Sequence, residues 1–432
     1  MERRKFLGLG MLAGLVAGVS PTARRLVDAQ PMPRNTATEP YAGRFFIFVN
    51  AGGGWDPTMV CDPKGGDINH QFMPSAIASS GPFQYAPISF MDGARSLSNR
   101  EFFDKFRDRL LVLNGIDMQT NNHDTGTRYT WSGHLEDGYP PLAAIIAAAL
   151  APGRPLAFLS NGGYENTVGV APLTRLNSID TIARIARPNL PDPNNPGVSY
   201  FSATTAERIH RAQAQRLGAM AAAQTLPAYQ LSMRQLLETR GGSNLFERMM
   251  MFLPSNDVLN RATNPILKQG MVALAAYRAG ISAAANLSVG GFDTHGNHDA
   301  SQGTAIGRLL SGVDLLMDYI DSLSLRDQVV VMVGSDFGRT PQYNAQMGKD
   351  HWSVTSMMMM GAGIRGGRVV GATDDRFRAR GLDFASLTPS DTAPRKLNPK
   401  SIHMALRHLA GVDTSDVARQ FPIYGDSISL FE

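Results

Sequence analysis

The sequence has little cysteine, little charge and no long apolar run. Cys61 is the only cysteine in 432 residues, so the chain cannot form an intramolecular disulfide. Charged residues make up 18% of the chain and hydrophobic residues 43%, a balance that is typical of a globular protein. The apolar run from Gly8 to Val19 is shorter than the about 20 residues that a transmembrane helix needs. These shortages exclude a disulfide-stabilised scaffold and argue against a membrane-spanning one.

The formal charge of +4 does not indicate nucleic-acid binding, because most of it belongs to the N-terminus. Residues 1–28 contain five basic and two acidic residues, which leaves the rest of the chain close to neutrality. A nucleic-acid-binding domain would carry its own basic patch. Nucleic acid is therefore not an expected partner.

The N-terminus has the features of an export signal. Arg3 and Arg4 precede the apolar run, and Val27-Asp28-Ala29 offers a small-residue cleavage site. This pattern predicts a twin-arginine signal peptide over 1–29 and a polar linker over 30–42. The mature protein would then be periplasmic or secreted, with the twin-arginine translocase as its partner during export and no membrane span after processing. The alternative is a basic, apolar anchor that stays attached.

Apolar segments of strand length alternate with helical segments along the rest of the chain. Residues 44–50, 110–116 and 328–334 have the pattern of buried strands, whereas 140–151 and 264–280 have that of helices. Such alternation predicts an α/β domain with a mostly parallel sheet. We expect this domain to occupy 43–432, with a helical and irregular insertion at about 152–262.

Polar side chains of metal-ligand type follow several of the predicted strands. They are Asp56, Asp293, His295, His298 and Asp336, with Asp350 and His351 in the loop after Asp336, and His123, Thr125 and Thr127 after the strand at 110–116. In open α/β sheets, ligands bind at the carboxyl ends of the strands. Carboxylates mixed with imidazoles favour zinc, manganese or iron over magnesium or calcium.

Three motifs in these loops, FDTHGNH, SDFGRTPQYNAQMGKDH and GGRVVG, resemble the twin-arginine-exported domain-of-unknown-function family 1501. The order of the polar residues resembles that of the alkaline-phosphatase superfamily, to which sulfatases also belong. The resemblance spans roughly residues 40–415. It implies an alkaline-phosphatase-like three-layer α/β sandwich, but it implies no established reaction.

The superfamily resemblance also implies a set of metal ligands. Asp293, His351 and either His295 or His298 resemble the ligands of one metal, and Asp56 and Asp336 resemble those of a second. A histidine of the second site is replaced by Phe337. One divalent ion is therefore favoured over two, with zinc as the first choice and manganese or iron as alternatives.

The remaining candidates have two readings each. Thr125, or Thr127 after it, resembles the superfamily's nucleophile at a helix N-terminus, but either hydroxyl would also serve as a helix cap. Arg339 would bind an anionic oxygen, or anchor its own loop through an ion pair. His123 would join the site or pack beside it, and Asp350 is a further candidate for the site.

Three functions remain open. The first is an exported, metal-dependent hydrolase acting on a small anionic substrate such as a phosphate or sulfate ester. The second is a non-catalytic exported binding or structural protein that retains the fold and a metal. The third gives the histidine-aspartate loop a purely structural role and requires its residues to be scattered in space.

Overall fold

An eight-stranded mixed sheet forms the centre of the domain. The computed structural model describes residues 40–431 except 176–178, 193–194, 196, 228, 231, 234–235 and 238–242. The predicted signal peptide and nearly all of the predicted linker lie outside the described residues. In chain order the strands are β1 (Phe45–Gly52), β2 (Ala78–Ser80), β3 (Phe83–Tyr85), β4 (Ser89–Asp92), β5 (Arg95–Ser98), β6 (Leu111–Asp117), β7 (Phe158–Ser160), β8 (Leu173–Thr174), β9 (Ala284–Gly290), β10 (Val329–Ser335), β11 (Gly338–Arg339), β12 (His351–Trp352), β13 (Val354–Gly361), β14 (Arg368–Val370), β15 (Leu382–Asp383) and β16 (Thr388–Pro389).

The central sheet has the strand order β14-β6-β13-β10-β1-β9-β7-β8. Every strand in it runs parallel to β1 except β13, which is antiparallel to both of its neighbours, β10 and β6. The strand β1 shows why the sheet is buried on both sides. Phe45, Ile47 and Val49 belong to the core on one face, and Phe46 and Phe48 belong to the core on the other.

Helices cover both faces of the sheet. They are α1 (Asn99–Phe106), α2 (His123–Ser132), α3 (Leu142–Leu150), α4 (Ile179–Ala186), α5 (Ala203–Ala222), α6 (Ser243–Met250), α7 (Asn256–Arg261), α8 (Pro265–Arg278), α9 (His298–Ser322), α10 (Pro399–Leu409) and α11 (Asp416–Gln420). Side chains of α1, α8 and α9 fill one core, and side chains of α2, α3, α10 and α11 fill the other. The prediction of an α/β sandwich around a mostly parallel sheet is confirmed.

The strand directions bring the polar loops to one edge of the sheet. The carboxyl ends of β1, β6, β9 and β10 meet there because these strands are parallel, and Ala51 of β1 is level with both Val289 and Ser335. The strand β13 begins at this edge because it is antiparallel, with Val354 opposite Asp117. The strand β12, which begins at His351 just before β13, therefore lies beside the loops that carry Asp293 and Asp336.

Part of the predicted insertion at 152–262 belongs to the sheet itself. The strands β7 and β8 lie inside that span, and β7 pairs with β9. These strands are only three and two residues long, so no alternating pattern reveals them in the sequence. For the segment after Thr174 the insertion stays a prediction. Among the described residues, no helix has the length and apolar character to cross a membrane.

One buried contact joins helix α10 to helix α2. His403 of α10 is fully buried, and its Nε2 donates to the carbonyl oxygen of Thr130 in α2 over 2.8 Å. Burial lowers the pKa of His403 from 6.5 to about 3. The folded protein therefore holds this ring neutral at pH values where the unfolded chain would protonate it.

We expect this histidine to make the protein acid-sensitive. Because its pKa is depressed in the folded state, its contribution to stability is present above pH 6.5 and is lost as the pH falls toward 3. Between pH 7 and pH 5 the loss should be about 2 kcal/mol. Urea unfolding at both pH values should show a smaller pH-dependent loss for His403→Gln than for the wild type. His408→Gln, on an exposed residue of the same helix, should keep the wild-type slope; equal slopes in all three proteins would contradict the assignment.

Candidate metal centre

Three histidine rings converge on one oxygen of Asp293. The Nε2 atoms of His295, His351 and His123 lie 3.0, 3.3 and 3.5 Å from Asp293 Oδ1. Asp293 follows β9, His351 begins β12 and His123 begins α2, so the group draws on three separate parts of the sheet edge. His123, Asp293 and His351 each offer a ligand atom, and these atoms lie within 4.8 Å of one another.

The other nitrogen of each ring is bonded to an oxygen outside the group. The Nδ1 of His123 lies 2.7 Å from Asp336 Oδ2, and the Nδ1 of His351 lies 2.7 Å from the carbonyl oxygen of Asn121. The Nδ1 of His295 lies 3.0 Å from Asp350 Oδ1. A proton on each Nδ1 satisfies these oxygens and leaves the Nε2 lone pair facing inward. This is the arrangement that metal-binding histidines adopt.

Two buried polar atoms at this site have no hydrogen-bond partner among the described residues. The Nε2 of His123 is buried and unpaired, as is Oδ1 of Asp336. The Nε2 atoms of His295 and His351 face each other over 3.0 Å, so two lone pairs meet when both rings carry their protons on Nδ1. Burial lowers the pKa of His351, which favours the neutral ring that a metal requires. Imidazole nitrogens with a carboxylate oxygen fit a divalent cation such as zinc.

Asp336 orients a ring rather than joining the group. Its Oδ2 accepts from the backbone nitrogen of Gly53 over 3.1 Å as well as from His123. The hydrogen bond that Asp336 accepts from His123 raises the pKa of the His123 ring. The sequence suggested a metal ligand at position 336. The structure places this carboxylate on the Nδ1 side of the His123 ring.

Arg339 is fully buried and holds the loops around Asp293. It donates to the carbonyl oxygens of Gly54 over 2.9 Å, of Lys349 over 3.0 Å and of Gly53, and its Nη2 lies 2.7 Å from Asp293 Oδ1. Burial alone would raise the pKa of Asp293, but Arg339 outweighs it and the pKa is lowered. Of the two roles that the sequence left open for Arg339, these contacts favour anchoring over binding of a substrate oxygen.

Asp56 and His298 lie in a separate, fully buried cluster with Lys349. The Oδ2 of Asp56 lies 2.6 Å from Lys349 Nζ and 3.0 Å from His298 Nε2. Its Oδ1 accepts from the backbone nitrogen and the hydroxyl of Thr58 over 2.9 and 2.7 Å. Burial alone would raise the pKa of Asp56, but Lys349 and His298 outweigh it and lower the pKa. Lys349 could not be predicted as a member of this cluster, because nothing in its local sequence pattern marks a buried lysine.

The threonine candidates lie in the first turns of α2. Asn122 caps this helix by accepting from the backbone nitrogen of Thr125, and the Thr125 hydroxyl accepts from Arg128 over 3.5 Å. Thr127 is half-buried. Between them, Gly126 packs so closely that an added Cβ would lie 2.4 Å from the carbonyl oxygen of Asp336. The helix start therefore lies directly against the loop that follows β10.

The loop from 344 to 351 is fixed by Asn344. Its Nδ2 donates to the carbonyl oxygen of His295 over 3.0 Å and to Asp350 Oδ1 over 3.2 Å. Its Oδ1 accepts from the backbone nitrogens of Gln346 and Gly348, both over 2.9 Å. Asp350, an exposed residue, is thereby held where it can bond His295.

A family profile described as "Protein of unknown function (DUF1501)" matches residues 45–421. The chain belongs to this family. The prediction of family 1501 is thus confirmed, while the profile carries no activity with it. No curated protein matches the sequence.

Similar solved structures include two sulfatases and a synthase. A 2-O GAG sulfatase has 10% identity and a TM-score of 0.35, covering 87% of this chain and 73% of its own. The lipoteichoic acid synthase LtaP from Listeria monocytogenes has 9% identity and a TM-score of 0.37, covering 87% and 74%. A sulfatase from Pseudoalteromonas sp. has 9% identity and a TM-score of 0.36, covering 90% and 72%. Likenesses this distant carry no conclusion about activity.

In this DUF1501 chain, Phe337 occupies the space beside the histidines. Its ring is fully buried, with centroid distances of 4.7 Å to His123 and 4.5 Å to His351. An apolar ring at this position offers no ligand atom. The contacts instead restrict the orientation of both imidazoles.

We expect the buried Asp56–Lys349 pair to be important for stability. Lys349→Met leaves Asp56 buried without its cation and should lower the free energy of unfolding by about 3–5 kcal/mol. Asp56→Leu combined with Lys349→Met should recover part of that loss, because no unpaired charge remains. Asp257→Asn, which removes an exposed ion pair with Arg261, should change stability by less than about 1 kcal/mol. A Lys349→Met protein as stable as the Asp257→Asn control in urea unfolding would contradict the expectation.

Proposed function

We propose that the chain is an exported, metal-dependent hydrolase of the phosphate- or sulfate-ester class. One divalent ion, with zinc favoured over manganese and iron, would be held by His123, Asp293 and His351. The observation that supports this most directly is the direction of the rings: each Nδ1 is bonded outward and each Nε2 points toward Asp293.

The number of ligands favours a catalytic site over a structural one. Catalytic zinc sites use three protein ligands and keep one position open, whereas structural sites are closed by four. His123, Asp293 and His351 make three. Phe337 stands where a second ion would need a ligand, which supports a single ion. A divalent cation in this site would supply Lewis acidity toward an ester oxygen.

The surrounding residues would position the metal ligands and transfer the proton in general acid-base catalysis. Arg339 keeps Asp293 ionised and fixed, and Asp336 holds the His123 ring. His295, whose side chain is 45% exposed, is bonded to Asp350 and lies at the solvent side of the group. This pair has the form of a general acid-base dyad, in which the carboxylate fixes the tautomer of the ring. Thr125, or Thr127 as second choice, remains the proposed nucleophile, since the amides of a helix N-terminus favour a developing anion.

The alternative is a non-catalytic exported protein in which the metal binds a ligand or stabilises the loops. The position of His295 favours this alternative, because its Nε2 lies 3.0 Å from both Asp293 Oδ1 and His351 Nε2. A shift of this ring would add a fourth ligand and close the site. The role of His295 therefore separates the two functions.

Export through the twin-arginine route and a periplasmic or secreted location are part of the proposal. They rest on Arg3, Arg4 and the apolar run of residues 8–19. The proposal of a small anionic substrate follows from the proposed hydrolysis of phosphate or sulfate esters.

We expect the purified protein to contain close to one equivalent of zinc, manganese or iron. Asp293→Asn should abolish binding, because it removes the charge of the central ligand and the partner of Arg339. Elemental analysis after metal-replete purification measures the content, and His408→Gln should match the wild type. Circular dichroism would establish that Asp293→Asn is folded. A folded wild type without metal would overturn the proposed function.

We expect His295→Ala to retain the metal and to lose hydrolysis of 4-nitrophenyl phosphate or sulfate. Loss of a general acid-base group should lower kcat about 10²–10⁴-fold. Titration with zinc and steady-state kinetics measure the two properties on the same preparation. A His295→Ala protein that loses its metal would instead place His295 in a closed ligand shell and favour the non-catalytic alternative.

A further inference from the structure

Two loops carry most of the side chains that meet at the candidate metal centre. Asp293 and His295 lie in the loop after β9, whereas Asp350 and His351 lie where the loop after β11 ends. A metal site needs its ligands held within about 0.5 Å of the productive geometry. The position of one loop relative to the other therefore decides whether the group can hold an ion.

The two loops pack backbone against backbone. The backbone nitrogen of Lys349 donates to the carbonyl oxygen of Thr294 over 3.1 Å. One residue earlier, a Cβ added at Gly348 would lie 1.9 Å from the carbonyl oxygen of His295, so this contact leaves no room for a side chain. A residue that fixes one loop therefore also fixes the other.

Thr294 is held by its hydroxyl as well as by its carbonyl oxygen. It lies between Asp293 and His295 in the chain and is buried. Its hydroxyl lies 2.7 Å from Nδ1 of His298, and Nε2 of His298 lies 3.0 Å from Asp56 Oδ2. An ionised carboxylate can only accept, so in the neutral ring Nε2 carries the proton and Nδ1 accepts from the Thr294 hydroxyl. One imidazole thus connects Thr294 to the Asp56 carboxylate.

The side chains of Asp56, His298 and Lys349, here called the Asp56 cluster, form the fixed end of this connection. All three are 0% exposed. Asp56 accepts from Lys349 Nζ over 2.6 Å in addition to His298, and its other oxygen accepts two bonds from Thr58. A buried polar network in which each member is bonded is rigid. Lys349 holds Asp56 with its side chain and Thr294 with its backbone, so both bonds to Thr294 come from the same cluster.

We propose, on the basis of the metal-dependent function above, that Thr294 is a positioning residue of the metal centre. Its hydroxyl fixes the backbone between Asp293 and His295 against the Asp56 cluster, and this sets where the Asp293 carboxylate lies. Thr294 itself does not touch the ion. Residues that orient metal ligands from outside typically contribute about 10–100-fold to metal affinity. The Asp56 cluster, although separate from the histidines around Asp293, thereby supports metal binding.

The substitution Thr294→Val tests this role, because it removes the hydroxyl and keeps the branched shape of the side chain. We expect the Kd for zinc to rise about tenfold, whereas Thr294→Ser, which keeps the hydroxyl, should bind zinc like the wild type. Competition with a chromogenic chelator measures each affinity without any substrate. Thr355→Val is the matched control, since this equally buried threonine of β13 bonds Trp55 Nε1 over 3.0 Å. It should lower stability and leave the zinc affinity unchanged.

The substitution His298→Gln tests the same bond from its other end, and it carries the test by itself if Thr294→Val does not fold. The glutamine amide can still donate to Asp56 but gives the Thr294 hydroxyl no ring nitrogen to bond. We expect the same weakening of about tenfold. The double variant should also lose about tenfold rather than about a hundredfold, because both changes remove one shared bond. Losses that multiply would show two independent effects and would overturn the role of this bond.

The outcomes distinguish the role of Thr294 from the proposed function. A folded wild type that binds no divalent metal would overturn both. A wild type that binds zinc no more tightly than Thr294→Val would overturn only the positioning role, as would a Thr294→Ser protein as weak as Thr294→Val. An equal loss of zinc affinity in Thr355→Val would show that affinity follows overall stability, and would overturn the positioning role as well. Circular dichroism on each preparation establishes that the compared proteins are folded.

Discussion

The buried guanidinium of Arg339 bonds the loops that follow three different strands. It reaches the carbonyl oxygens of Gly53 and Gly54 after β1, the carboxylate of Asp293 after β9, and the carbonyl oxygen of Lys349 in its own loop after β10. A buried cation is tolerated only when its hydrogen bonds and its charge are satisfied. Asp293 therefore stays ionised at a fixed place, and the three histidines are arranged around that fixed charge.

The charges around Asp293 explain why a divalent ion suits the group. Asp293, Asp336 and Asp350 carry three negative charges, and Arg339 supplies one positive charge. With neutral imidazoles the excess of two negative charges matches one divalent cation. The hydrogen bond that Asp336 accepts from His123 raises the pKa of that ring and so favours its protonated form. Metal and proton would therefore compete for His123 Nε2, and metal binding should release a proton.

Much of this arrangement follows from strand directions and could be predicted. Because β1, β6, β9 and β10 are parallel, the polar residues after them had to meet at one edge. Which of His295 and His298 lies beside Asp293 could not be predicted, since both belong to one short segment. Asn297 decides it: this residue has a left-handed backbone with φ of 45° and turns the chain, so that His298 begins α9 and is buried while His295 stays at the surface.

The contacts of Asp56 and of Phe337 could not be predicted from sequence patterns, for a related reason. Both depend on contacts between residues far apart in the chain, Asp56 with Lys349 and Phe337 with His123. Lys349 and His298 both bond Asp56, in a cluster that is separate from the group around Asp293. Phe337 fills the space beside Asp336 with an apolar ring, so Asp336 acts through His123. Two carboxylates that resemble ligands in the sequence, Asp56 and Asp336, thus bond neighbouring side chains, whereas three histidine rings face Asp293.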